Sequence, residues 1–245
     1  MITTSIKIDE KKLAEMLAKS RIDHPANVLY PTPWASIQSH PKFGATQLFW
    51  VLDEAGNFSY DSSIRTETPG EADVVVREND LAIAFIKKYR ANVLPRTEEN
   101  IAWRKTGNLD LTTAPHLGMF ELGIARGWIF NPKKHWELIP MTEGQQETGL
   151  MVHKVEPIGY GYPNSGVIST WVDMFWGVAT DKPYTGPIDE LEKPEIQKVV
   201  WLSLPEVREY MLTGSDNFSL AALGKFRMFA IKNENPFLQE VGKQL

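Results

Sequence analysis

Glu143 and Glu147 stand four residues apart, with Gln146 three from Glu143, in the stretch Thr142-Glu143-Gly144-Gln145-Gln146-Glu147-Thr148-Gly149-Leu150. In a helix this spacing puts all three side chains on one face. Two carboxylates one turn apart repel each other in a bare helix. A divalent cation between them removes the repulsion, because hard ions take carboxylate and phosphate oxygens together. The pattern points to a divalent cation such as Mg²⁺ held between Glu143 and Glu147, with Gln146 on the same face. Gly149 is free to take the left-handed conformation that ends a helix, and an apolar run follows it.

Those side chains need a helix held against strands. Asn131-Pro132 is a helix start, Asn as cap and Pro in the first turn. Pro140 then either kinks that helix or restarts it, and both versions keep the two glutamates on a shared face. Upstream, Glu71 to Arg77 and Leu81 to Ile86 read as two strands joined by Glu78-Asn79-Asp80, and Met119 to Ile129 as a further strand and loop. Downstream, Met151 to Tyr162 and Val167 to Val178 read as strands, an acidic stretch then closes on Val199 to Val207, and a capping Asp216 or Asn217 opens a last helix packed by Leu220, Leu223 and Phe226. Asn92 to Leu117 reads as a long, polar, irregular connection in which Trp103, Arg104 and His116 carry no diagnostic spacing.

Ahead of these, Asp9 to Lys19 has the apolar spacing of a short amphipathic helix, with Leu13, Met16 and Leu17 on one side. Pro25, Pro31 and Pro33 break regular structure. Trp34 to Ser39 is strand-like, and Gln47 to Leu52 and Phe58 to Asp61 form a hairpin around the turn Asp53 to Asn57.

Composition narrows the chemistry. The chain has 245 residues, 42% hydrophobic and 23% charged, which suits a globular protein with a substantial core. With a net charge of −5 there is no basic surface for nonspecific nucleic-acid binding. A small anionic substrate would need a local cation, from metal or arginine. The absence of cysteine excludes disulfides, thiolate zinc sites and a cysteine nucleophile. No apolar run reaches membrane-spanning length and Met1 to Lys7 lacks the core of a signal peptide, so a cytoplasmic protein is expected. Aromatic residues, at 11% with eight Trp, serve burial or a subunit interface more often than base stacking.

The nine-residue stretch resembles the end of the Nudix box, the signature of hydrolases that split a nucleoside diphosphate linked to another moiety. That box ends Arg-Glu-apolar-x-Glu-Glu-x-Gly-apolar. Glu143, Glu147, Gly149 and Leu150 match; Thr142 replaces the Arg, Gly144 the apolar residue and Gln146 the first Glu of the pair. The spacing from Gly127 to Glu143 is one position longer than the family's, and the upstream Glu falls on Lys133 or Lys134. Three flanking stretches resemble the ADP-ribose pyrophosphatase branch in the same order. Lys87-Lys88-Tyr89-Arg90 is similar to its Arg-Gln-Tyr-Arg, Met119 to Ile129 to its Glu-Leu-Pro-Ala-Gly, and the acidic loop Asp181 to Ile196 leading to Val200-Trp201-Leu202 to its loop before the closing helix.

The resemblance implies an α/β fold with a Nudix-type mixed sheet between helices, an α/β/α sandwich, over residues 71–232. An N-terminal helix and antiparallel strands precede it over 1–70, often a dimer element in this branch, so a homodimer is expected, and a tail follows over 233–245. It implies a pyrophosphohydrolase acting on ADP-ribose or another NDP-sugar and giving a nucleoside monophosphate and a sugar phosphate. Glu143 and Glu147, with Gln146 offering a neutral oxygen, would hold the cofactor, Mg²⁺ or Mn²⁺, and a backbone carbonyl near Arg126 would join them. Arg90 would hold the substrate, or be an ordinary strand-end arginine. Glu121 would orient the site, or be a buried glutamate paired with an arginine. Among Asp189, Glu190, Glu192 and Glu195, the residues Glu190 and Glu192 are the first candidates for the base that takes the water's proton. The three departures within the box leave room for an alternative, a Nudix-fold sensor or regulatory protein that binds the nucleotide derivative without hydrolysing it.

Overall fold

The computed structural model describes residues 11, 28–31, 38–40, 44–52, 58–66, 70–90, 93–107, 110–128, 141–162, 171–186 and 196–245. The turn at 53–57, the helix expected over 131–139 and the acidic loop with Glu190 and Glu192 lie outside them, as does the helix expected over 9–19 apart from Lys11. The chain divides into two compact units, residues 1–68 with 162–170, and residues 69–161 with 171–245.

The first unit contains a four-stranded antiparallel sheet of β1 (Val28–Pro31), β2 (Gln38–His40), β3 (Gly44–Leu52) and β4 (Phe58–Thr66). Strand β3 is its centre and pairs with all three others, so the two strands of the expected hairpin, β3 and β4, are neighbours.

The second unit is built on a mixed seven-stranded sheet. Its strands are β5 (Gly70–Arg77), β6 (Ile83–Arg90), β7 (Met119–Gly123), β8 (Ala125–Trp128), β9 (Leu150–Gly161), β10 (Val172–Pro183) and β11 (Ile196–Leu202). The path runs β11-β6-β5-β10-β9, with β10 parallel to β5 and the other pairs antiparallel. Strands β5 and β6 meet at Val76 and Ile83, next to their turn, where the Asp80 carboxylate accepts two bonds from the Arg77 guanidinium. At their far ends the gap is filled by β7 against β6 and β8 against β5. This insertion brings Arg126 and Gly127 beside Ala72 and Glu71, and Glu121 beside Lys88.

Side chains alternate across the sheet, as a period of two requires. Ala72, Val74 and Val76 of β5, with Ile83 and Phe85 of β6, bury against α3 (Leu204–Thr213), α4 (Asn217–Lys232) and α5 (Pro236–Gln244). Phe226 at the centre of this core stacks on the buried Trp176, ring centroids 5.7 Å apart, and burial of each such ring is worth about 1.5–3 kcal/mol or more. On the other face Val75 and Ala84 join Met141, Val152 and Ala179 under helix α2 (Thr142–Thr148). The sheet therefore lies between helices.

Two segments differ from the sequence expectation. Residues 233–245 are no tail: Asn235 caps α5 by accepting the N–H of Phe237 at 2.9 Å, Pro236 starts it, and Leu238, Val241 and Leu245 are buried in the main core. The connection from Asn92 to Leu117 holds helix α1 (Glu98–Lys105) and a 3₁₀ turn at Leu111–Thr113. Thr97 caps α1, acidic Glu98 and Glu99 fill its first turn, and Arg104 and Lys105 its last, the arrangement that a helix dipole favours. No described helix is long and apolar enough to cross a membrane.

Candidate functional site

Helix α2 starts without a cap of its own. Its N-cap is Met141, a non-glycine residue in the left-handed region at φ 72°, and its side chain is buried in the small core rather than bonded to the helix. The first turn of a helix leaves backbone N–H groups that need acceptors. Strand β5 supplies them: Glu71 Oε1 accepts the N–H of Glu143 and Asp73 Oδ2 accepts that of Gly144 at 2.7 Å. Both carboxylates stand on the β5 face that carries Val75, and both are buried. Burial raises the Asp73 carboxyl well above the usual carboxylate range, the neighbouring charges of Glu71 and Glu143 raise it further, and the Gly144 N–H opposes them.

Gly144, where the box has an apolar residue, is dictated by this contact. A Cβ there would lie 2.9 Å from Val75 Cγ2 and 3.1 Å from Asp73 Cβ, so the helix rests directly on β5. At its other end α2 closes as expected: Gly149 sits at φ 70° and its N–H returns to the Gln145 carbonyl at 2.9 Å. The buried Gln145 side chain accepts the N–H of Val152 at 3.2 Å and fastens the helix to β9.

Glu143 and Glu147 both point at β8. The Glu143 carboxylate lies where a Cβ on Gly127 would be, and Glu147 Oε2 accepts the N–H of Arg126 at 3.2 Å. The other oxygen, Glu147 Oε1, forms an ion pair with Lys88 of β6, both side chains being almost wholly buried at 1% and 5% exposure. Lys88 Nζ also donates to the Arg126 carbonyl at 3.3 Å. Gln146 is partly buried on the same helix. Among the described residues no group of three or more His, Asp or Glu is arranged to hold a metal ion.

The three residues expected to bind substrate meet one another. Glu121 Oε2 accepts from Arg90 Nε at 3.3 Å and from Arg126 at 3.0 Å. Arg126 also pairs with Asp216 at 2.5 Å and lies over the Phe218 ring at 5.1 Å. Asp216 caps α4 through the N–H of Phe218 at 3.2 Å and accepts from the Ser219 hydroxyl, whose oxygen takes the N–H of Ile124 at 2.9 Å. The cavity between Lys88, Arg90, Glu121, Arg126 and Asp216 is about 10 Å³, room for about one water.

Sequence reasoning passed over Glu71, Asp73 and Lys88. A signal was present, for two carboxylates at alternate positions of an otherwise apolar strand must share one face, and Lys88 lies two residues before Arg90 on β6.

No protein-family model matches the chain, and no curated protein matches it. Among solved structures, an ADP compounds hydrolase superposes with a TM-score of 0.55 at 14% identity, over 82% of this chain and 94% of that one. A NUDIX hydrolase from Nitrosomonas europaea gives 0.43 at 13% identity over 66% and 89%, a score too low to carry weight. At these identities the likeness concerns the fold. The fold is of the Nudix type, the mixed sheet between helices that the four partial motifs imply, and α2 carries the stretch that resembles the end of the box.

Proposed function

We propose that this chain is a Nudix-fold binding protein for a nucleoside diphosphate derivative of the ADP-ribose or NDP-sugar class, with hydrolysis weak or absent. One observation carries the reading: the Glu147 carboxylate, on which a bound cation would depend, is buried against the Lys88 ammonium. The Mg²⁺ or Mn²⁺ implied by the resemblance does not fit the donor set. Lys88 already supplies positive charge there, Gln146 brings a neutral oxygen in place of a carboxylate, and Thr142 cannot orient a glutamate as arginine does. On the ligand side, Arg90 and Arg126 share Glu121. These guanidinium groups are the donors a diphosphate would use, and Glu121 would have to swing out of a cavity that holds about one water to admit it. The likeness to an ADP compounds hydrolase supports the ligand class.

A second reading is favoured by the charges around α2. Glu71, Asp73, Glu143 and Glu147 are all buried along β5 and α2, Glu147 against Lys88, and a divalent cation would offset the repulsion among them. Under it the chain is a metal-dependent pyrophosphohydrolase releasing a nucleoside monophosphate and a sugar phosphate, with Glu190 or Glu192 as the base.

One experiment separates the two. The protein is melted with ADP-ribose and a panel of NDP-sugars, with and without Mn²⁺, and the same samples are chromatographed for monophosphate. The binding reading expects a ligand-dependent rise in melting temperature and no product. Monophosphate that disappears in Glu147→Gln establishes the hydrolase, and no shift with any ligand rejects the binding reading.

A further inference from the structure

Lys88 ends on two buried oxygens, a carboxylate oxygen of Glu147 and the backbone carbonyl of Arg126 at 3.3 Å. A carboxylate and a backbone carbonyl converging on one point are a donor pair that hard divalent ions also use. Here a primary ammonium occupies that point.

We propose that Lys88 is the resident cation of the box, a charge fixed to strand β6 standing where the oxygens of α2 and β8 would otherwise gather a divalent ion. The geometry gives the lysine the two tasks of such an ion. It neutralises Glu147, and it ties the box helix to the Arg126 carbonyl, whose own N–H is held by the second Glu147 oxygen. Helix α2 and strands β6 and β8 are thereby locked through one carboxylate. Gln146 is the companion change: a single positive charge needs fewer carboxylates than a doubly charged ion, and an amide at this position lowers the negative charge of α2. The box then holds its shape with no exogenous ion. This deepens the binding reading, which requires Glu147 to be unavailable to a metal, and its test uses Mn²⁺ alone so that failure to bind a nucleotide does not bear on it.

Mn²⁺ is titrated into the full chain and into Lys88→Gln, with uptake read from the spectrum of free Mn²⁺ and stability from melting. The unmodified chain is expected to take up no Mn²⁺ through Glu147 and to melt at the same temperature in Mn²⁺ and in chelator. Lys88→Gln should melt lower and gain a Mn²⁺ site, recovering roughly 5 °C or more when the ion exceeds its dissociation constant about a hundredfold. Uptake by the unmodified chain that Glu147→Gln abolishes overturns the proposal, as does a folded Lys88→Gln indifferent to Mn²⁺. Should Lys88→Gln not fold, the unmodified chain decides: Mn²⁺ uptake absent, or unchanged by Glu147→Gln, supports Lys88 in the cation position.

Discussion

The Asp73 carboxylate accepts the backbone N–H of Gly144 at 2.7 Å, joining strand β5 to the first turn of the box helix. That bond, with its neighbour from Glu71 to the Glu143 N–H, replaces the side-chain cap that Met141 does not provide. It holds α2 so close to the sheet that no side chain fits at 144.

Gly144→Leu, which restores the apolar residue of the resembled motif, is expected to destabilise the chain. Leucine returns about 1 kcal/mol of helix propensity. Against that stand an overpacking cost of about 1–3 kcal/mol and the weakening of the Asp73 hydrogen bond, worth about 0.5–1.5 kcal/mol. The net loss is about 2 kcal/mol by urea unfolding, and equal or greater stability contradicts the close contact with Val75 and Asp73.

Asp73 gives stability a pH dependence of definite sign. Its folded carboxyl titrates well above the ordinary 3.8, so between that value and the folded pKa the native chain holds a proton that the unfolded chain releases. Its contribution is fully present below 3.8 and is lost as pH rises through the folded pKa. Asp73→Asn keeps an oxygen for the Gly144 N–H and has no proton to lose. The stability of the unmodified chain relative to Asp73→Asn should fall from about pH 4 upward, and a difference constant with pH contradicts the raised carboxyl.

The Lys88 and Glu147 pair is tested by removing one charge and then both. Lys88→Met leaves a buried carboxylate without its ammonium and should cost about 3–5 kcal/mol. Lys88→Met with Glu147→Leu removes both charges at similar volume and should recover most of that loss. A double variant as unstable as the single one contradicts a compensated pair.

Tyr210 donates its hydroxyl to the Leu122 carbonyl at 2.7 Å and sets its ring edge-on to Phe85, centroids 4.6 Å apart. Burial pushes its phenol from 10 up to about 12. Tyr210→Phe should cost about 1 kcal/mol near neutrality. The raised phenol also predicts a stabilising contribution that fades from pH 10 to about 12. A tyrosine titration in which all residues ionise near pH 10 contradicts this.

The sequence revealed local signals more readily than long-range ones. The box helix was legible because the Glu143 and Glu147 spacing and the Gly149 stop are local, and the sheet was legible because Val74 to Val76 and Ile83 to Ile86 are apolar runs. Helix α1 was equally local, with Thr97 as cap and charges matched to its dipole, yet its polarity hid it in an apparent loop. The caps from Glu71 and Asp73 were not legible, because they reach α2 across about 70 residues and depend on which strand lies under the helix. Lys88 was hidden for the same reason. Its spacing before Arg90 fixes its face of β6, but the register that brings that face to Glu147 exists only in the folded sheet. Arg90, Glu121 and Arg126 come together in the fold, as partners of one another.

The central proposal, that the box helix is anchored by lysine and that hydrolysis is weak or absent, is tested most directly by a phosphorus NMR time course. Stoichiometric protein is held with ADP-ribose and Mg²⁺ for many hours. The account predicts that the diphosphate resonances persist, as they do with Glu147→Gln. Their conversion to monophosphate signals by the unmodified chain, and not by Glu147→Gln, would contradict it.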